Sequence, residues 1–266
     1  MILDDFRLDR QVALITGAGK GIGAAIAEAF AEAGADVVLA ARTESDLESV
    51  ASRVRALGAE ALVVPTDVTD RKALEALIEA TRKHFGRLSI LVNNAGGGPY
   101  KPALETSERT FEHTLRFSLT SAFLLTRLAA RLMLERGGSA PLGSVLNISS
   151  ALDHQVERGF VAYATAKAGL AHMTHLLGHE LAPKIRVNGL SVGSVETPAL
   201  APFLGMDGMR EKMEQALPMR RIGQPRDVAS AAIFLCSPAA SWITGKMLEV
   251  DGGAVASNFP METRDL

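Results

Sequence analysis

The chain has 266 residues, enough for one α/β domain with a large core, and its 47% hydrophobic and only 5% aromatic content makes that core one of Ala, Val, Leu and Ile. Its 28 basic and 30 acidic residues leave a formal charge of -2 with no block of like sign, which excludes the electrostatic footprint of a nucleic-acid or anionic-membrane binder. The acidic start MILDDFRLDR is not a signal peptide and no apolar run approaches the ~20 residues of a membrane span, so a cytoplasmic location is expected; the single cysteine, Cys236, sits in the apolar run AAIFLC and reads as a buried small hydrophobe.

Residues 12–16 (VALIT) form a short apolar run that stops at glycines, and 24–33 holds good helix formers: strand, glycine turn, helix. The turn TGAGKGIG places Gly17, Gly21 and Gly23 at the telling positions, with Gly19 as an extra and Lys20 and Ile22 between them. It is not the G-x-G-x-x-G fingerprint, since Ile22 stands where the last glycine of that pattern falls. The physics is shared, because glycines let the backbone approach a pyrophosphate and a helix start offers free N–H groups and a positive dipole end. A tight turn with no ligand is the plain alternative.

The unit then repeats. Residues 36–41 (DVVLAA) read as a second strand, 45–57 as a helix, 61–65 (ALVVP) as a third strand, 71–85 as a helix and 89–93 (SILVN) as a fourth strand, ending in NNAG. Strands this apolar, alternating with amphipathic helices, imply a parallel sheet covered on both faces, and no linker divides the chain into more than one domain. A long helix is expected over 107–135, with Thr106 or Ser107 as N-cap and Gly137 just past its end, followed by a loop at 136–143 (RGGSAPLG) and a fifth strand at 144–149 (SVLNIS). After a helix carrying Tyr163 come a sixth strand at 185–191, a mobile-looking segment at 197–218, a helix at 225–236 with Pro225 in its first turn, and a last strand at 246–250.

The chemistry concentrates in SSALDHQVERGFVAYATAK, residues 149–167. Tyr163 and Lys167 are four residues apart in an Ala-rich helical run, so both project from one face about a turn apart. A phenol titrates near pH ~10, and an adjacent ammonium favours the phenolate, so Tyr163 is expected to be a proton-exchanging group with a lowered pKa. Ser150, at the end of the fifth strand, is placed to hydrogen-bond the same substrate oxygen. By itself Tyr-x-x-x-Lys is better explained by an ordinary pair on a helix face.

Taken in order, TGAGKGIG, Asp67 after the third strand, NNAG after the fourth, Ser150 after the fifth and Tyr163-x-x-x-Lys167 beyond it resemble the short-chain dehydrogenase/reductase family over residues 8–253. The resemblance implies a Rossmann-like doubly wound parallel sheet of seven strands in order 3-2-1-4-5-6-7, three layers αβα, with the ligand at the carboxyl ends of the strands. It implies Tyr163 as acid in reduction and base in oxidation, Lys167 on the nicotinamide ribose hydroxyls and lowering the tyrosine pKa, and Ser150, which alone of Ser149 and Ser150 has the family's spacing from the tyrosine, as the group that polarises the carbonyl. Gly17, Gly19, Lys20, Gly21, Ile22 and Gly23 would then hold the cofactor phosphates, and Asp67 and Val68 the adenine. Asn93, Asn94, Ala95 and Gly96 would line the cofactor and support the strand end, while Gly193, Val195 and Thr197 reach the nicotinamide amide. Asp67 is alternatively a turn residue in DVTD. Two positions depart from the family: Ser118, in FSLTS, stands where an asparagine usually supports a water-linked proton relay, and Val192 replaces the proline of a Pro-Gly pair, with some loss of loop rigidity.

An acid at the end of the second strand would bind the adenosine ribose and repel a 2'-phosphate, but Ala41 occupies that place, followed by Arg42, with Lys20 inside the glycine turn. Two cations and no carboxylate favour NADP(H), because charge-assisted bonds to a phosphate are the strong ones; the alternative is a pair of solvated surface charges. Asp36 falls at the wrong end of its strand.

His172, His175 and His179 share one helix face, but the outer two are about two turns apart, too far for one ion at ~2 Å, so no metal site is expected. His154 is balanced between a substrate contact and a surface loop. Residues 198–213, with Phe203, Leu204, Met206, Met209 and Met213, correspond to the family's substrate lid, and this apolar segment, with Gly97, Gly98 and Tyr100, points to a hydrophobic ketone or alcohol. Residues 219–253 resemble the C-terminal part of bacterial 3-oxoacyl-carrier-protein reductases and hydroxysteroid dehydrogenases. The expectation is an NADP(H)-dependent oxidoreductase of carbonyls and secondary alcohols, a homotetramer built through the long helix, the Tyr163 helix and the last strand. Ser118 keeps open a second reading, a catalytically weak NADP(H)-binding sensor or structural subunit.

Overall fold

A strand made only of apolar residues needs partners on both edges and cover on both faces, and that requirement organises this chain. The computed structural model describes residues 1–135, 137–138 and 142–259. Strand β1 (Val12–Thr16), buried throughout, pairs in parallel with β2 (Asp36–Ala41) on one side and β4 (Ile90–Asn93) on the other. β3 (Ala61–Pro65), β5 (Gly143–Ile148), β6 (Ile185–Val192) and β7 (Met247–Val250) complete a parallel sheet in the order β3-β2-β1-β4-β5-β6-β7, as the resemblance implied.

The period of two along β1 sorts its side chains between two cores. Ala13 and Ile15 face one that includes Ile26 and Phe30 of α1 (Gly21–Glu32), Leu47 and Val54 of α2 (Glu44–Ala56) and Leu235 of the helix Pro225–Cys236. Val12 and Leu14 face the other, with Leu74 and Leu77 of α3 (Arg71–Phe85) and Leu125 and Met133 of the helix Ser121–Leu134. Each such leucine or phenylalanine contributes roughly 1.5–3 kcal/mol by leaving water, so the layers are held by burial on both faces. Cys236 is buried, and burial pushes its thiol up to about 12.

Local signals set the ends of several helices. Asp70 caps α3 by accepting from the Lys72 amide at 2.8 Å, and Gly86 ends it in the left-handed region at φ 66°. The long helix begins as expected, with the Ser107 side chain accepting from the Thr110 amide at 3.3 Å, but it is not continuous. α4 (Glu108–Leu115) passes into a widened π-type turn, Arg116–Thr120, before α5 (Ser121–Leu134) resumes. In that turn the Ser121 amide reaches back five residues to the Arg116 carbonyl, and the Ser121 hydroxyl donates to the Phe117 carbonyl at 2.6 Å. By length and composition the 27-residue stretch Glu108–Leu134 is apolar enough to cross a membrane, which the sequence expectation did not allow; here Leu125, Ala129, Leu132 and Met133 pack against the sheet.

Of the expected loop at 136–143, Arg136, Ser139, Ala140 and Pro141 lie outside the described residues, and Gly143 already belongs to β5. Beyond β5, α6 (Val161–Glu180) carries Tyr163 and Lys167. The segment 197–218 holds two short helices, α7 (Ala201–Leu204) and α8 (Met209–Gln215), followed by α9 (Pro225–Cys236). Leu204, Met209 and Met213 form a satellite core with Leu217 and Ile222.

Candidate active site

Because all strands run the same way, the loops after β1 to β6 meet at one edge of the sheet, around a cavity of about 680 Å³. Gly17, Gly19, Lys20, Gly21, Ile22, Arg42, Asp67, Val68, Asn94, Ala95, Gly96, Ser150, Tyr163, Lys167, Gly193, Val195 and Thr197 all line it. Gly23, Asn93 and Ser118 stand behind its wall. A Cβ on Gly23 would lie 2.3 Å from the Gly17 carbonyl oxygen, so Gly23 lets the turn close on itself. Asn93 donates to Thr126 Oγ1 and Asn147 Oδ1, both at 2.9 Å, and supports the end of β4 from within.

The glycine turn is held from beneath. Gly17 and Gly21 adopt φ of +64° and +57°, and the Asn94 side chain donates to the Thr16 and Gly17 carbonyls at 2.8 and 3.2 Å. Thr16 Oγ1 accepts from the Asn94 and Ala95 amides, both at 3.0 Å, which ties NNAG to the turn. No side chain caps α1, whose first residues, Gly21 and Ile22, face the cavity. A backbone cradle with no room for a Cβ, at the open start of a helix, fits the pyrophosphate of a dinucleotide.

At the far end the charges differ from expectation. Lys20 pairs with Asp46 at 2.9 Å, and Asp46, in the first turn of α2, lines the cavity, so a carboxylate is present after all. The sequence hid it because the chain has to reverse after Arg42 to bring α2 over the turn. Asp67 is a turn residue that also faces the cavity, accepting from the Thr69 hydroxyl and amide at 2.7 and 2.8 Å, bonds that keep its carboxyl below the usual range.

The reactive groups stand where β5 meets α6. The Ser149 hydroxyl donates to the Lys167 carbonyl at 3.2 Å, on the buried side, while Ser150 accepts from the Leu152 amide at 3.3 Å and hydrogen-bonds the Tyr163 phenol. Lys167 Nζ donates to the Ile148 carbonyl at 2.7 Å and lies 5.6 Å from the centre of the Tyr163 ring. The expected lowering of the tyrosine pKa is corrected here. Burial pushes the phenol above its ordinary value, the Ser150 bond opposes that, and the charge of Asp153 adds to the rise. Burial also lowers the Lys167 ammonium to about 8. In this arrangement Tyr163 holds its proton, the form that can protonate an oxygen.

Asp153, whose side chain is buried, accepts from the Ser191 hydroxyl on β6 at 2.6 Å and bonds the His154 ring at 2.6 Å. His154, bonded to Asp153, is exposed and does not line the cavity. Ser118 Oγ accepts from the Gly97 amide at 3.0 Å and donates to its carbonyl at 3.1 Å. A Cβ on Gly96 would meet Lys167 Nζ at 3.2 Å and Ser118 Oγ at 3.3 Å, so this glycine keeps open a gap bordered by both.

The remaining wall is apolar and comes from Leu152, Phe160, Leu200, Phe203 and Phe259, with Gln155, Ser257 and Asn258 among them. Of these the sequence singles out Phe203, and Leu200 lies within the expected lid segment 198–213. The methionines of 198–213 do not face the cavity: Met209 and Met213 fill the satellite core, and Met206 is exposed. Gly97 and Gly98 line it as expected, whereas Tyr100 packs behind Phe160, ring centres 5.4 Å apart. Among the described residues no group of His, Cys, Asp or Glu could hold a metal; His175 instead contacts the Gly245 carbonyl at 2.8 Å.

The family model for enoyl-(acyl carrier protein) reductase matches residues 17–255. The chain belongs to the short-chain dehydrogenase/reductase family. It is 48% identical over 266 residues, all of both chains, to an uncharacterized oxidoreductase of Mycobacterium tuberculosis. To the 7α-hydroxysteroid dehydrogenase of Escherichia coli it is 40% identical over 253 residues, 95% of this chain and 97% of the other. To a 3-oxoacyl-[acyl-carrier-protein] reductase of Aquifex aeolicus it is 34% identical over 251 residues, 94% and 99% of the two chains. Among solved structures it is similar to a 7α-hydroxysteroid dehydrogenase complexed with NADH and 7-oxo glycochenodeoxycholic acid (TM-score 0.90, 39% identity, 95% and 97% covered). It is also similar to a gluconate 5-dehydrogenase from Burkholderia cenocepacia in complex with NADP and tartrate (TM-score 0.88, 33% identity, 95% and 98% covered). Membership makes this chain an oxidoreductase of hydroxyl and carbonyl groups that uses a nicotinamide cofactor.

Proposed function

We propose that the protein is an NADP(H)-dependent oxidoreductase that interconverts a carbonyl and a secondary alcohol on a hydrophobic substrate of the 3-oxoacyl or hydroxysteroid type. The observation that carries this reading is the buried, protonated Tyr163 phenol, bonded by Ser150 and backed by Lys167, between a glycine cradle and an apolar wall. When bound, the nicotinamide supplies or accepts the hydride. Tyr163 gives its proton to the carbonyl oxygen and Ser150 donates a hydrogen bond to the developing alkoxide. Lys167, anchored on the Ile148 carbonyl, would hold the nicotinamide ribose hydroxyls with its remaining N–H groups. Segment 197–218 is the lid, with Leu200 and Phe203 on its inner side.

Arg42 at the cavity rim supports NADP(H), because a guanidinium matches a phosphate in charge and shape; Lys20, held by Asp46, supplements it. The exposed apolar residues Phe123 on α5, Leu176 on α6 and Leu248 on β7, with the fully exposed Trp242 before β7, support a homotetramer built on these elements, which light scattering would measure directly.

Turnover of NADPH with hydrophobic ketones tests the proposal. Tyr163→Phe should bind NADPH normally and lose roughly 10²–10⁴-fold in kcat. Retained activity would mean the acid is misassigned, and NADPH binding without turnover of any ketone by the native protein would favour the sensor reading. Arg42→Ala should lower kcat/KM about tenfold or more for NADPH and little for NADH; a native preference for NADH would overturn the choice of NADP(H).

A further inference from the structure

The chain continues past β7 and returns to the site. Among the described residues, the segment 254–259 is fastened by side-chain bonds: Gln155 Nε2 donates to the Ala254 carbonyl at 2.9 Å, Ser194 Oγ bonds Asn258 Oδ1 at 2.7 Å, and Asn258 Nδ2 donates to the Met213 carbonyl at 3.2 Å. These bonds tie it to the turn after β5, the loop after β6 and the lid helix α8. They place Phe259 in the cavity wall, its ring centre 4.9 Å from Phe203 and 5.5 Å from Phe160, both edge-on. Phe160 in turn lies 6.2 Å from the Tyr163 ring, so the aromatic row runs from the C-terminal segment to the reacting hydroxyl.

We infer that Phe259, with Phe203 and Phe160, forms an aromatic wall that selects a neutral, ring-bearing ketone or alcohol over an open acyl chain. This deepens the proposed oxidoreductase activity and rests on it. Two features decide the substrate class. The ionisable side chains lining the cavity among the described residues are Lys20, Arg42, Asp46 and Asp67 around the glycine turn and strand ends, His113, which faces Asp67, and the reactive Tyr163 and Lys167. Among the described residues the aromatic side offers apolar groups and the neutral Gln155, Ser257 and Asn258, and gives a carboxylate or phosphate no charged partner. Second, interlocked rings present a stiff surface. A rigid cyclic body packs against it without losing internal rotations, whereas an acyl chain must freeze several. The methionines that would adapt to a flexible chain are turned away into the satellite core.

The test compares 2-decalone with 2-decanone, of equal carbon number, at saturating NADPH. The native enzyme should favour decalone in kcat/KM. Phe259→Ala should lower kcat/KM for decalone about tenfold, through KM, change decanone by less than about threefold, and leave NADPH binding by fluorescence titration unaltered. Phe203→Ala should do the same, and it decides the matter if Phe259→Ala loses NADPH binding through misfolding. Native activity without preference for the ring, or equal effects of the substitutions on both ketones, would overturn the inference while leaving the activity intact; native failure to turn over either would overturn both.

Discussion

Lys167→Met offers the most direct check on the electrostatics of the site, because it removes a charge that the fold pays to bury. The amine is enclosed, and burial lowers its pKa from 10.5 to about 8. The folded protein therefore binds this proton more weakly than the unfolded chain. Between pH 8 and 10.5 the unfolded state holds more protons, so stability rises with pH. The contribution is complete above 10.5 and is lost as pH falls through about 8. At ~1.4 kcal/mol per pKa unit the charged amine costs about 3 kcal/mol at neutral pH, of which about 2 kcal/mol is recovered between pH 8 and pH 10.

Methionine has a similar length and no titration. It leaves the Ile148 carbonyl without its 2.7 Å donor, a penalty of about 1–3 kcal/mol that does not vary with pH. The slope of the difference, not its offset, is thus the signal. Urea denaturation of the cofactor-free native and variant proteins at pH 7, 8, 9 and 10 should show the native protein gaining about 2 kcal/mol on the variant between pH 8 and 10. All other titrating groups, Tyr163 included, are common to both. A gap that stays constant across that range would refute the claim that Lys167 is held charged against its burial.

Gly23→Ala would put a methyl 2.3 Å from the Gly17 carbonyl oxygen and 2.6 Å from Asn94 Nδ2, so thermal melting should fall by the equivalent of about 1–3 kcal/mol and NADPH titration should show lost binding; normal binding would mean the turn relaxes freely. Ser118→Ala removes both hydrogen bonds to Gly97 and should destabilise the protein by about 1–3 kcal/mol, an effect whose absence in denaturation would show that serine there is dispensable. Asp153→Asn removes a charge that raises the pKa of both Tyr163 and Lys167, so the alkaline loss of reductive rate, where the phenol gives up its proton, should move to lower pH; an unmoved pH profile would separate Asp153 from the reactive pair.

The cofactor half of the site was legible because it is written locally. The strand Val12–Thr16 and the helix Arg71–Phe85 have the bounds expected from the sequence, and the glycines of the first turn announce themselves by spacing. The order of the seven strands came from resemblance, since no local signal says which strand lies beside which. The sign of the Tyr163 shift was misread for a related reason. Four residues of separation establish that a charge is near, but not that both groups are fully enclosed, and burial is the larger effect. The widened turn at Arg116–Thr120 leaves no trace in a pattern of apolar residues, because the ladder changes while the buried face does not.

The substrate half resists such reading for a structural reason that also bears on function. Its wall draws on Leu152 and Phe160 between β5 and α6, Leu200 and Phe203 on the lid, and Phe259 beyond the last strand, residues joined only through tertiary contact. Each lies outside the motifs proposed to hold the cofactor, so any can change without disturbing the glycine turn or the Tyr163–Lys167 pair. That separation lets one fold serve different ketones and alcohols while its hydride and proton chemistry stays fixed. It follows that substitutions at Phe259 and Phe203 should act on substrate KM and those at Tyr163 on kcat, and that the two sets should combine additively in double variants. Strong coupling between Phe259→Ala and Tyr163→Phe would show that the aromatic wall acts on the proton transfer itself and not on substrate choice.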